Sequence, residues 1–284
     1  MIVVIFSKKR WARIVSGVGF VVLLLMSVWG GQKIYDYYGE ISEVGEISEV
    51  GSFSILYDNI YVYNEEYDAL QSVIEKTDPD VLILVEFARH HRTVMEEFLD
   101  EMGLTNTNRI NREALYDSNL FASHSPIDQV ITYGGLDDYI NIESQDMMIG
   151  DRQVMFHVVH LVSPISPDHY IVRNRQLETL ATLMDQATQD YPDYLHILIG
   201  DFNTSPWSSQ YAQFQAALGD ERYDQTRQIP LLMTWKLPMA PWLRTHIDHV
   251  WMRGDVDMMI EPLRLEGSDH RVLEIVIGDN SLTE

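Results

Sequence analysis

The residues best able to do chemistry stand where apolar runs stop. Ile197-Leu198-Ile199-Gly200-Asp201-Phe202-Asn203 is such a run, ending in a carboxylate and an amide. Three apolar residues before a glycine predict the end of a buried strand. Asp201 and Asn203 are two apart, so on an extended backbone they point the same way. Side by side at the mouth of a strand, they occupy the place where open α/β folds put their chemistry. For this pair alone, an Asx turn at a strand end explains the residues equally well. Val81-Leu82-Ile83-Leu84-Val85 is apolar throughout, which predicts a strand buried on both faces, and it ends in Glu86. A carboxylate there is costly unless it is paired or meets a metal. His160 closes the strand predicted from Gln153 to Leu161, Asn59 follows Ser52–Tyr57, Asp248 follows Ile247, and Ser268-Asp269-His270 precedes Leu273–Ile277.

The elements that must position these residues alternate between strand and helix. Helices are expected from Asn64 to about Thr77, near Arg92 to Met102, from Arg173 to Gln189, and after Ser205-Pro206, where Ser205 can cap. Asn64 is itself explained as a helix cap. The predicted helix start puts Arg173 and Gln176 on a first turn. Several strands arrive without an intervening helix. That pattern suits a four-layered α/β sandwich, two packed mixed sheets with outer helices, better than one parallel sheet.

The chain has 284 residues, 46% of them hydrophobic, enough for a sizeable core. It has no cysteine, so disulfides and thiolate metal sites are excluded. Net charge is −23, and Lys8, Lys9, Arg10, Arg13 and Lys33 all precede Ile34 with no acid among them, so the remainder is more acidic still. Such a body repels a phosphate backbone at long range and disfavours nucleic acid as a partner. It leaves room for a small phosphorylated substrate met through a metal ion, whose charge reverses the local field.

Ile14 to Trp29 is almost wholly apolar, follows basic residues and precedes Tyr35, Tyr37 and Tyr38. It is at the short end of the roughly 17–25 residues that span a bilayer. Residues 1–33 are therefore expected to hold an amino-terminal transmembrane helix, with the carboxyl side outside the cytoplasm by the positive-inside rule. A cleaved signal peptide is the competing reading. Residues 34–51 contain Glu-Ile-Ser-Glu-Val-Gly twice in tandem and are expected to form an acidic spacer. Residues 52–284 make up the remaining domain.

Taken together, Asn59, Pro79-Asp80-Val81…Glu86, His160, Gly200-Asp201-Phe202-Asn203, Ile247-Asp248-His249 and Ser268-Asp269-His270 resemble, in order, the motifs of the endonuclease/exonuclease/phosphatase superfamily. With the amino-terminal segment, the chain looks like its membrane-anchored bacterial branch. The resemblance implies a Mg²⁺- or Mn²⁺-dependent hydrolase of phosphate esters. Its hard cation would take oxygen ligands from Glu86 and Asn59, with Asp269 as a further metal or water contact. Asp201 would orient or deprotonate the attacking water, and Asn203 would hold that water or the phosphate. His270, positioned by Asp248, would donate to the phosphoryl oxygen, and His160 would stabilise the transition state from the other side. Arg173 and Gln176 would touch the phosphate. The expected substrate is small, lipid-linked or a phospholipid headgroup. The alternatives are a metal-dependent nuclease and a catalytically inactive binding scaffold of the same fold.

Overall fold

The computed structural model describes residues 19–22, 24–29, 51–110, 119–134, 140, 142–219, 223–224, 232–237, 240–254 and 256–278. Residues Met1–Ile41 and Ser42–Glu284 form two separate compact units. In the first, residues 19–22 and 24–29 are helical, and their large apolar side chains are exposed, Phe20 at 68% and Trp29 at 65%. Among the described residues no helix is long and apolar enough to cross a membrane. The rest of the expected transmembrane segment, its basic flank and the spacer up to Val50 lie outside the described residues.

The second unit is built on two six-stranded sheets. The first runs in the order β13 (Asp257–Arg264), β14 (Arg271–Gly278), β1 (Phe53–Asn59), β2 (Val81–Val85), β4 (Asn119–Ser123) and β3 (Asn106–Ile110). The second runs β5 (Gln129–Tyr133), β6 (Ile142–Ile149), β7 (Arg152–His160), β8 (Leu195–Asp201), β12 (Asp248–Arg253) and β9 (Tyr223–Asp224). β10 (Trp235–Leu237) and β11 (Ala240–Thr245) pair as a separate hairpin. Each large sheet is mixed: β1 and β2 are parallel, as are β7 and β8, and their other neighbours are antiparallel. A helix bridges each parallel pair, as a parallel connection requires. α1 (Tyr67–Thr77) links β1 to β2, and α3 (Pro167–Asp190) links β7 to β8. α2 (Arg89–Glu101) and α4 (Ser209–Leu218) follow β2 and β8.

Strand alternation decides what each face buries. Phe53, Ile55, Tyr57, Val81, Ile83 and Val85 meet Val154, Phe156, Val158, Ile197, Ile199 and Val250 in one core between the sheets. The opposite face of the first sheet packs Leu56, Leu82, Leu84 and Val272 against Leu70 and Ile74 of α1 and Met95, Phe98 and Leu99 of α2. On the second sheet's outer face, α4 sets Tyr211 and Phe214 against Trp251. The expected packing of two mixed sheets with helices outside is what forms.

Three local expectations are corrected. α3 begins six residues earlier than expected, because Ser166 caps it by accepting from the His169 N–H at 3.2 Å and Pro167 occupies its first turn. Arg173 and Gln176 therefore lie beyond the first turn. The cap of α4 is Ser208, which accepts from Tyr211 N–H at 3.0 Å, whereas Ser205 starts the turn before it. Asn64 caps no helix: its oxygen accepts from Glu66 N–H at 2.9 Å and its amide donates to the Glu266 carbonyl at 3.2 Å, tying the end of β1 to the turn before β14.

Candidate active site

Register brings the polar residues together. His160 pairs with Asp201 across β7 and β8, and Asp201 pairs with Asp248 across β8 and β12. Each continues, by two residues, a row whose preceding members Val158, Ile199 and Val250 lie in the core between the sheets. The three side chains thus emerge where that core ends. Gly200 lets the strands close this tightly: a Cβ there would meet the Val159 carbonyl oxygen at 1.9 Å.

The facing sheet supplies Asn59 at the end of β1 and Glu86 just past β2. The Asn59 amide donates to Glu86 Oε1 at 3.3 Å and to Asp201 Oδ2 at 3.2 Å. Glu86 has φ 60, a left-handed conformation that turns its side chain off the strand line, and its second oxygen accepts from Val62 N–H at 2.8 Å. His160 Nε2 lies 3.8 Å from both Glu86 Oε1 and Asp201 Oδ2. His270 Nε2 approaches Asp201 Oδ2 to 3.7 Å from the other side, while its Nδ1 bonds Asp248 Oδ2 at 2.8 Å. Asp248 is held in turn by the Tyr57 hydroxyl at 2.9 Å. Asn59, Glu86, His160, Asp201, Asp248 and His270 are therefore one connected cluster drawn from both sheets.

Asn203, also left-handed at φ 47, donates its backbone N–H to Asp201 Oδ1 at 2.8 Å, so the Asp-x-Asn pair does close an Asx turn. Its side-chain amide donates to the Leu161 carbonyl at 2.8 Å. Arg173 is buried and donates to the Asn203 carbonyl, and Gln176 accepts from Val162 N–H at 2.8 Å. Both bind the loops that carry His160 and Asn203. Asp269 is half-buried and holds the Trp235 indole N–H at 2.8 Å through one oxygen.

The electrostatics separate the roles. Burial works against a charge on His270, but Asp248, by proximity and hydrogen bond, then Asp201 and Asp269, raise its pKa to about 10. It is thus an imidazolium at neutral pH. Burial and then Asp248 lift Asp201 to about 6, with His270 and His160 opposing. Asp248 is buried too, yet His270 holds it below the ordinary carboxylate range.

Sequence reasoning gave no role to three residues in or beside the site. Tyr57 looks like an ordinary alternating strand residue, yet its hydroxyl orients Asp248. Ser268 links the two sides of the site, donating to the Asn59 carbonyl at 2.9 Å and accepting from His270 N–H at 3.0 Å. Asp58, on the opposite face of β1 from Asn59, is fully buried with neither carboxylate oxygen hydrogen-bonded. Burial raises its pKa well above the ordinary value, with His270 opposing.

The donor set suits a hard divalent cation. Glu86 and Asp201 converge on one neutral amide, and among the described residues no lysine or arginine pairs with either. Asp201, Asp248 and His270 place one ligand atom each within 4.8 Å of one another. Asp248 and His270 already bond each other, however, so Glu86 and Asn59 beside Asp201 remain the residues to hold an ion.

The family model for the endonuclease/exonuclease/phosphatase family matches residues 59–270, from the first of these residues to the last. The chain belongs to that family. Members of the endonuclease/exonuclease/phosphatase family are generally metal-dependent hydrolases of phosphodiester bonds. No curated protein matches the sequence. Among solved structures, truncated Caenorhabditis elegans TDP2 superposes with a TM-score of 0.65 at 16% identity, covering 82% of this chain and 100% of that one. D. rerio TDP2 complexed with single strand DNA product gives 0.62 at 16%, covering 80% and 99%. The human Nocturnin catalytic domain with bound sulfate anion gives 0.58 at 17%, covering 82% and 97%. At these identities the likeness concerns the fold.

Proposed function

We propose that the protein is a Mg²⁺- or Mn²⁺-dependent phosphoesterase that works outside the cytoplasm, held at a membrane by its amino-terminal segment. Its substrate is a small, lipid-linked or phospholipid-type phosphate ester. The observation that carries the catalytic part is geometric: His270, held by Asp248 at 2.8 Å, lies 3.7 Å from Asp201, and the Asn59 amide joins Asp201 to Glu86. A divalent ion on Glu86 and Asn59 would polarise the phosphoryl oxygen and neutralise its charge. The chain's own residues do the rest. Asp201, anchored by the Asn203 N–H, orients the attacking water and takes its proton. His270, kept cationic and aimed by Asp248, donates to the phosphoryl oxygen as charge develops. His160 does the same from the facing side. Asn203 and Arg173 fix the loop on which Asp201 depends.

The acidity of the body supports a small or neutral-headgroup substrate over long nucleic acid. The apolar segment Ile14–Trp29 with its basic flank supports the tether. A nuclease is the second reading, favoured by the likeness to a TDP2 that was captured with a single strand DNA product. A side-by-side assay of plasmid DNA, a lipid pyrophosphate and a phosphodiester headgroup decides between them. Turnover of the lipid substrates with Mg²⁺, and little of DNA, is expected; the reverse order replaces this reading with the nuclease. No turnover and no Mg²⁺ binding by calorimetry leaves the inactive scaffold.

A further inference from the structure

Four cations of this acidic chain gather beside the candidate centre. Arg264 ends β13 and Arg271 begins β14, and they are register partners, so their side chains leave one face of the sheet about 5 Å apart. On β14 that face carries Leu273, Ile275 and Ile277, which fill the core between the sheets. Arg271 stands where this row runs out, one step past the Tyr57–Leu273 pair and toward the end at which Asn59 lies. The β10–β11 hairpin adds Lys236 and Arg244, also register partners. The hairpin is seated on the turn that bears the site: Lys236 donates its N–H to the Asp269 carbonyl at 2.9 Å and its Nζ to the Ser268 carbonyl at 3.0 Å.

The three arginines repel one another. Burial and then Arg264 lower the pKa of Arg244, and burial, Arg244 and Arg264 lower that of Arg271. Among the described residues no carboxylate pairs with any of them within salt-bridge distance, although Asp269 draws on Arg244 from further off. Nη1 of Arg244 is buried without a hydrogen-bond partner. Like charges set opposite each other, and a buried donor left unmade, both cost stability. An arrangement that weakens the fold, in a chain with so few cations, matches a ligand that brings the missing negative charge. Guanidinium forks fit phosphate oxygens in pairs.

Resting on the phosphoesterase reading, we infer that Arg244, Arg264 and Arg271 form a subsite for a second phosphate group, adjoining the one attacked. The preferred substrate is then a diphosphate ester rather than an isolated monophosphate. A soluble diphosphate and a lipid-linked one share this chemistry.

The test compares inorganic phosphate with inorganic pyrophosphate by calorimetry on the full chain in excess Mg²⁺. Wild type, Arg244→Gln, Arg244→Lys and the double variant Arg264→Gln/Arg271→Gln are measured. Wild type is expected to bind pyrophosphate about tenfold or more tightly than phosphate, the worth of one or two charge-assisted bonds. Both glutamine variants should lose that preference while their phosphate affinity stays within about twofold, and Arg244→Lys should regain part of it. Their ligand-free melting temperatures should equal or exceed wild type, which also shows that they fold. Equal affinities in wild type, or a preference that survives in the glutamine variants, overturns the subsite. Turnover of soluble and vesicle-borne diphosphate esters against their monophosphates separates the two readings. Hydrolysis with no arginine-dependent preference removes the subsite alone. Arginine-dependent pyrophosphate binding without hydrolysis removes the phosphoesterase and leaves the subsite. Whichever diphosphate turns over faster names the source.

Discussion

His270 and Asp201 face each other across 3.7 Å, one cationic and one with a raised pKa, and the pair sets the pH behaviour. Asp201 must be ionised and His270 protonated, so turnover at limiting metal should rise through about pH 6 and fall through about pH 10. A divalent ion beside Asp201 favours its charged form, so rising Mg²⁺ should move the acid limb down and leave the alkaline limb in place. For stability the signs agree. Both folded-state pKa values are raised, from 3.8 and from 6.5, so each contribution is complete below those values and is lost as pH rises through about 6 and about 10. Asp201→Asn and His270→Ala should each lower kcat by about 10³-fold or more with circular dichroism unchanged. Asp58 makes a different prediction. It is a buried carboxylate without partners, so Asp58→Val should raise stability by about 1–3 kcal/mol in chemical denaturation. The gain should grow with pH, because wild type loses Asp58's contribution as pH climbs through its raised pKa. A loss of stability instead would mean that the carboxyl has a partner worth keeping. The strand-end residues of the site were legible because an acid or imidazole that ends an apolar run is conspicuous. Tyr57 and Asp58 were not, because alternation tells which face a residue takes and not what waits on that face.

At the level of elements, the close approach of β7 and β8 at Gly200 is what aligns His160 with Asp201. Gly200→Ala forces a methyl group into the Val159 carbonyl, and should cost about 3 kcal/mol in urea unfolding and lower activity with it. Ser166→Ala removes the α3 cap and should cost about 1 kcal/mol without changing kcat. The strands of the two parallel pairs were readable from their apolar runs, and Val81–Val85 falls where expected. Helix starts were harder. Ser-Pro occurs before both α3 and α4, and it caps only the first, because a turn from Ser205 to Ser208 hands the second cap to Ser208. Strands β5 and β6 alternate polar residues on both faces, with Ser144, Gln145 and Asp146 buried, so they carried no usable period.

For the molecule as a whole, charge governs which partners approach. With a net charge of −23, the chain should retain plasmid DNA weakly at moderate salt, and gel shift should show little binding beyond the arginine cluster's contribution. Pairing between distant segments was invisible in the sequence: nothing local says that β14 slots between β13 and β1, or that β12 lies beside β8. The order of motifs supplied what local patterns could not, through the resemblance to a family. The central claim is that Glu86 and Asn59 of one sheet hold a divalent ion against Asp201 of the facing sheet, and that the cluster hydrolyses a phosphate ester with it. Its most direct test is the initial rate of hydrolysis of a chromogenic phosphodiester as Mn²⁺ is titrated into chelator-treated protein, for wild type and Glu86→Gln. The rate should be negligible without metal, saturate with it, and require about 10–100-fold more Mn²⁺ in the variant. A rate that ignores the metal, or a variant that matches wild type at every concentration, would contradict the account.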